Sequence, residues 1–141
     1  MQILTQRLRD VFTLTADLVQ HLSEDNLKLR LGNLPSNTIG QQLWCIIGAR
    51  ESYSRAIVSG QWEGFTCSLR ETTSKDLVME SLNRSADKLL EYLGTEELSE
   101  KKLKFVISLL EHEVQHHGQL IRYIYGNQLS FPNSWHTRYT V

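Results

Sequence analysis

Three of the chain's five histidines lie close together, in the stretch His112-Glu113-Val114-Gln115-His116-His117. On a helix, His112 and His116 are four residues apart and therefore face the same side, about one turn apart. Two imidazoles at this spacing can hold one divalent metal ion between them. The alternative is that both are core histidines hydrogen-bonded to their neighbours. His117 points about 100° away from His116 on the helical wheel, so we expect it to pack or to support the site indirectly.

The same stretch is also a His-Glu-x-x-His sequence, in which zinc peptidases use two histidines as ligands and the glutamate to activate water. The context argues against a peptidase. No Asp or Glu follows Glu113 to serve as a further ligand, and no pair of strands is evident that would grip an extended peptide. Glu113 is nevertheless the one candidate for a catalytic acid or base, provided that it does not face outward.

These residues must be positioned by helices, because apolar residues recur every three or four positions in four long segments. We predict helices over residues 3–22, 38–58, 74–93 and 99–125. Residues 61–73 show no clear period and are long enough to form a crossover connection. The predicted fold is therefore all-α: one domain over residues 1–141, built as a four-helix bundle with a long crossover between the second and third helices. The tail after residue 128 contains Pro132 and Trp135, and we expect it to pack across the end of the bundle.

Composition excludes several classes of function. The chain has 141 residues, 40% of them hydrophobic and 22% charged, and a formal net charge of −1. It therefore lacks the excess of positive charge that is typical of proteins that bind nucleic acids or membrane surfaces. No apolar run approaches the roughly 18 residues that a membrane span requires. Charges recur from the first turn, which is unlike a signal peptide, and Cys45 and Cys67 form no paired motif. We expect a cytoplasmic protein with reduced thiols.

The second predicted helix contributes a further motif. It begins Thr38-Ile39-Gly40-Gln41-Gln42-Leu43-Trp44-Cys45, and the last helix carries His-x-x-x-His-x-Gly-Gln-Leu from His112. Together these motifs resemble the DinB/YfiT-like family of bacterial four-helix bundles. The histidine motif is the most specific part of the resemblance, which spans nearly the whole chain. The tail Phe131-Pro132-Asn133-Ser134-Trp135 also fits the way in which such chains end.

The resemblance implies a bundle with a long crossover, commonly a homodimer, in which many relatives hold a divalent metal through three histidines. Some relatives use the metal in thiol-cofactor transfer or isomerisation. By position, His112 and His116 match two of the ligands, and the third falls on Cys45, where a histidine is usual. The implied cofactor is a divalent metal, zinc or nickel. Cys45 also admits two interpretations: a thiolate ligand, or a small core residue in a site that has lost its metal.

Two classes of function follow. The first is a metal-dependent transferase, for example of thiols, or a hydrolase acting on a small molecule. The second is a non-catalytic dimeric bundle with a degenerate metal site, for example a stress-related binding module. In both, Cys45, His112 and His116 should converge in the bundle interior and face one shallow pocket. Three other residues could line the pocket: Arg50, Glu51 and Tyr53. For the two charged residues, Arg50 and Glu51, we instead expect surface ion pairs.

The crossover contains two large apolar side chains, Trp62 and Phe65. Side chains of this kind need to be covered from solvent, which favours a homodimer.

Overall fold

The computed structural model describes residues 2–95 and 97–141, and within them the chain is helical and contains no strand. The helices are α1 (Gln2–His21), a 3₁₀ helix (Asp25–Lys28), α2 (Ile39–Ser59), α3 (Lys75–Thr95), α4 (Glu100–Gly126) and α5 (Asn133–Tyr139). The all-α prediction is confirmed, and the four predicted helices match α1 to α4 to within two residues at each end. Among these helices, none has both the length and the hydropathy that spanning a bilayer requires.

Local side-chain chemistry fixes where the second and fourth helices begin. The Thr38 hydroxyl accepts a hydrogen bond from the Gln41 amide at 3.1 Å, and the Gln41 side chain accepts one from the Thr38 amide at 2.9 Å. This capping box satisfies backbone donors that the first turn of α2 leaves free. Ser99 caps α4 in the simpler way, by accepting from the amide of Lys102. The helices that carry the histidines and Cys45 therefore start at residues whose side chains specify those starts.

The segment between α2 and α3 is a crossover that runs back along the bundle. The first turn of α2 lies against Thr72, just before α3 begins, and Arg50 in the middle of α2 bonds to Leu82 in the middle of α3. The two helices therefore run in the same direction, so the chain must return along their length between them. Each long helix packs against two others, in the pairs α2–α4, α1–α3, α2–α3 and α1–α4.

Two glycines allow the crossover to lie directly on α2. A Cβ atom on Gly40 would sit 2.2 Å from the Thr72 carbonyl oxygen, and one on Gly48 would sit 2.3 Å from the Phe65 ring. Any larger residue would push the crossover away, because these distances are far below van der Waals contact. Cys45 lies between the two glycines along α2, so the crossover is packed beside the turn that carries it.

The short helix α5 was not predicted, because seven residues are too few to show a helical period. It packs on α1 through Trp135, which is fully buried and whose indole N–H donates to the Leu14 carbonyl at 2.7 Å. The apolar core consists of two clusters, one nearer each end of the bundle. Trp135 belongs to the cluster that also holds residues from the start of α2 and the end of α4. The tail therefore closes part of the core.

Candidate metal centre

Cys45, His112 and His116 come together between α2 and α4. One potential ligand atom from each lies within 4.8 Å of the other two, and the Cys45 sulfur is 3.9 Å from Nε2 of His112. The two imidazole rings lie 4.5 Å apart between centroids. The three side chains come together as predicted, although not in the bundle interior that was expected for them. This convergence arises because α2 and α4 pack together with the Cys45 face of one helix against the His112–His116 stripe of the other.

The cluster lies at the edge of the bundle rather than deep inside it. His116 is 8% exposed, whereas Cys45 and His112 are half-buried. A shallow cleft of about 480 Å³ reaches Cys45. It is lined by side chains that carry no formal charge: Asn37, Gln41, Trp44, Cys45 and Thr72. A small molecule can therefore approach Cys45 from solvent without crossing the core.

Burial keeps both histidines neutral at physiological pH. It lowers the pKa of His112, and together with the neighbouring His112 it lowers the pKa of His116 to about 4. A neutral imidazole retains the lone pair that a metal ligand needs. Burial raises the pKa of the Cys45 thiol, so an ion binding there must displace a proton from sulfur. Two imidazole nitrogens and one thiolate form a donor set that suits zinc and similar borderline metals.

Gln42 is a member of the site that sequence reasoning missed. Its Oε1 atom lies 2.6 Å from Nδ1 of His116, and its side chain is 7% exposed. The signal was present in the sequence, because Gln42 lies three residues before Cys45 and therefore shares its helix face. By contrast, Nδ1 of His112 is buried with no hydrogen-bond partner among the described residues.

Glu113 does not serve the cluster. It is fully buried, and both of its oxygens accept hydrogen bonds from Arg50, at 2.5 and 3.1 Å. Glu113 therefore does not face outward, and it is not a member of the Cys45–His112–His116 cluster. The expectation of a surface ion pair for Arg50, which is 1% exposed, is wrong. A carboxylate held in this way is not placed to activate water, and this removes the residue on which the peptidase interpretation depended.

The Arg50–Glu113 pair belongs to a buried polar network that joins all five α-helices. The Thr15 hydroxyl donates to Glu113 Oε1 at 2.5 Å and lies 2.7 Å from Nε2 of His117, whose Nδ1 lies 2.6 Å from the Tyr139 hydroxyl. Arg50 also donates to the Leu82 carbonyl at 3.1 Å. Burial alone would raise the pKa of Glu113, but the Arg50 guanidinium, aided by His117 and Thr15, holds that pKa below its usual range.

The remaining sequence candidates lie outside the cluster. Glu51 accepts hydrogen bonds from the backbone and hydroxyl of Ser68 in the crossover, at 2.8 and 2.5 Å. Tyr53 packs on the Trp62 ring, with centroids 5.0 Å apart. His117 is fully buried and packs against the Trp135 ring, with centroids 4.8 Å apart, which confirms the packing role expected for it.

No protein-family model matches the chain, and no curated protein was found to be significantly similar to it. The class of protein is therefore defined by its own fold and site. It is an all-helical bundle with a Cys-His-His cluster that could hold a metal ion.

Stability should fall as the pH is lowered through the range in which the buried histidines resist protonation. Burial is the main cause that lowers the pKa values of His116 and His117 to about 4, whereas an unfolded histidine titrates near 6.5. Between these values the unfolded chain binds protons that the folded chain does not. The free energy of unfolding should therefore drop, by about 1.4 kcal/mol per pH unit for each group where the slope is steepest.

Urea unfolding of the metal-free protein at about pH 7, 6 and 5, followed by circular dichroism, measures this slope. The variant His116→Gln should show a shallower pH dependence than the wild type. The matched control is Gln115→Ala, because Gln115 is exposed on α4, has no titrating group and should leave the slope unchanged. Equal slopes for the wild type and His116→Gln would contradict the prediction.

Proposed function

We propose that this chain is a DinB/YfiT-like metal-binding protein that holds one divalent ion through Cys45, His112 and His116. The supporting observation is that three potential ligand atoms, from residues as much as 71 positions apart in the sequence, lie within 4.8 Å of one another. Such a cluster requires α2 and α4 to present these residues on facing surfaces. Zinc is the preferred metal because a thiolate and two imidazoles match its usual donors.

Three protein ligands would leave a coordination position that a small molecule can reach through the cleft beside Cys45. A zinc-like ion held there would supply Lewis acidity to a group entering that position. The chain supplies two neutral imidazoles, those of His112 and His116, and the imidazole of His116 is buried. They also provide a cleft lined without charged side chains, which favours an uncharged substrate group.

Transfer chemistry is favoured over hydrolysis in this proposal. A thiolate ligand at Cys45 donates more charge than the histidine usual in the family, which weakens the Lewis acid. Glu113, the one residue considered as a base for activating water, is engaged by Arg50 and Thr15. A metal-dependent transferase acting on a small molecule such as a thiol is therefore the preferred activity. The rival is a non-catalytic bundle in which Cys45 is only a packed side chain.

Metal analysis separates these two candidates. The purified protein is stripped with a chelator, reconstituted with zinc, desalted and analysed for metal and protein. We expect about one zinc per chain if the three ligands act together. A reconstituted protein that retains no zinc would overturn the metal-binding proposal and favour the non-catalytic bundle.

The variant Cys45→His should change which metal is preferred. Replacing the thiolate by an imidazole gives three nitrogen ligands, which suit nickel better than the mixed set does. We expect the ratio of nickel to zinc affinity to rise by about tenfold or more, measured by competition with a chromophoric chelator. Cys67→His is the matched control, because Cys67 donates to the Trp44 carbonyl and is not in the cluster. An unchanged ratio in Cys45→His would show that Cys45 does not bind the metal.

We also propose that the chain forms a homodimer through an aromatic surface on the crossover side. Trp62 and Phe65 are 47% and 41% exposed, and Trp44, at 37%, packs against Phe65 with ring centroids 5.2 Å apart. Large aromatic side chains left this exposed are typical of interfaces. Light scattering at micromolar concentration should give twice the chain mass, and Trp62→Ser with Phe65→Ser should shift it to the monomer. A wild type that scatters as a monomer would contradict this proposal.

A further inference from the structure

A row of three polar side chains ends on His116. Gln42 lies with Oε1 2.6 Å from Nδ1 of His116, and its Nε2 donates to Oδ1 of Asn37 at 2.9 Å. The Tyr123 hydroxyl donates to the same Asn37 oxygen and lies 3.1 Å from the Asn37 carbonyl oxygen. Gln42 and Tyr123 are 7% and 4% exposed, whereas Asn37 is exposed to solvent. Water therefore competes little for the hydrogen bond between Gln42 and His116.

In this structure the Asn37 amide turns its oxygen toward Gln42. Because that oxygen can only accept, the Gln42 amide turns its nitrogen toward Asn37 and its oxygen toward His116. An amide oxygen also can only accept, so Nδ1 of His116 must carry the proton of the neutral ring. The remaining nitrogen, Nε2, then keeps its lone pair. The partner of one ring nitrogen thereby decides what the other can bind.

We propose that Gln42, anchored by Asn37 and Tyr123, is a positioning residue that fixes His116 as the Nδ1–H tautomer and presents its Nε2 lone pair to Cys45 and His112. Its consequence for metal affinity depends on the proposed function, whereas the tautomer itself is a property of the metal-free chain. Gln42 makes no contact with the ion in this role and acts only through His116.

The first test uses the metal-free protein. Long-range ¹H–¹⁵N couplings of histidine ring nitrogens distinguish the two neutral tautomers directly. His116 should be the Nδ1–H form in the wild type and should lose this preference in Gln42→Leu. Gln42→Glu should retain it, because one carboxylate oxygen accepts from Nδ1–H while the Asn37 amide turns its nitrogen toward the other oxygen. A wild-type His116 in the Nε2–H form, or an unchanged tautomer in Gln42→Leu, would overturn the proposal.

The second test measures zinc affinity by competition with a chelator. Gln42→Leu should bind zinc about 10–100-fold more weakly than the wild type, as expected when the partner of a ligand histidine is lost. Gln42→Glu should restore affinity to near the wild-type value, which a merely structural defect would not allow. Gln115→Leu is the matched control, because Gln115 is exposed on α4 one residue before His116. Equal affinities for the wild type and Gln42→Leu would overturn the positioning role.

A third variant, Tyr123→Phe, keeps the test possible if Gln42→Leu does not fold. If circular dichroism shows that Gln42→Leu is not folded, Tyr123→Phe removes only the outer hydroxyl of the row and should give the same effects in smaller measure. No change in tautomer or zinc affinity in that variant would then count against the proposal. A wild type that binds no zinc would refute the metal-binding proposal, while the couplings in the metal-free protein would still decide the role of Gln42.

Discussion

The double substitution His112→Ala with His116→Ala should abolish zinc binding while the bundle remains folded. The two residues supply two of the three potential ligands, and Cys45 alone cannot hold the ion against a competing chelator. We expect the zinc content after reconstitution and desalting to fall from about one per chain to background, with affinity lower by at least about 1,000-fold. Neither imidazole contacts the buried Arg50–Glu113 network through a hydrogen bond, so helicity should be retained.

The matched control for this experiment is His21→Ala with His136→Ala, which removes two exposed histidines far from the cluster. That variant should retain about one zinc per chain. Circular dichroism on both variants checks that the helices are intact. Zinc retained by the His112→Ala, His116→Ala protein at the wild-type stoichiometry would place the ion elsewhere and would overturn the Cys-His-His assignment.

Substituting Arg50 should cause a large loss of stability. Arg50 and Glu113 are 1% and 0% exposed, so removing the guanidinium leaves a buried carboxylate without its partner. Breaking a buried pair from one side costs about 3–5 kcal/mol, because the remaining charge has neither solvent nor a counter-charge. We therefore expect Arg50→Met to lower the free energy of unfolding by that amount in urea titrations.

Two further variants make this measurement specific. Arg50→Met combined with Glu113→Leu removes both charges, so it should be more stable than Arg50→Met alone. Lys104→Met is the control for losing an ion pair on the surface, because Lys104 and Glu100 are 71% and 85% exposed. It should change the free energy of unfolding by less than about 1 kcal/mol. A loss from Arg50→Met no greater than that of this control would contradict the structural role assigned to the pair.

The long helices and the shared face of His112 and His116 could be predicted because both follow from local periodicity, whereas Cys45 was predicted from the family resemblance. Apolar spacing, the Thr38 and Ser99 caps and Gly60 fix α2 and α4 to within one residue of the predicted bounds. His112 and His116 share a face on any straight helix. The family resemblance placed Cys45 opposite them, and helix packing brought the three within reach of one metal ion.

Glu113 shows where local reasoning failed. It lies four residues after Leu109 and four before His117, which places it within the buried stripe of α4. A charged residue at such a position is tolerated only with a buried partner, and that partner, Arg50, lies 63 positions away on α2. Residue type left open whether Glu113 faces outward, whereas its position on the helix indicates burial.

By itself, the sequence determined the helical class, the bounds of four helices and the shared face of the two histidines, since these depend on residues within a few turns of one another. Only the tertiary structure decided that Arg50 and Glu113 pair in the core, that Gln42 contacts His116 and that α5 closes over α1. Each of these depends on the rotation and depth at which separate helices pack. Packing of the whole core sets those two quantities, and no local spacing encodes them.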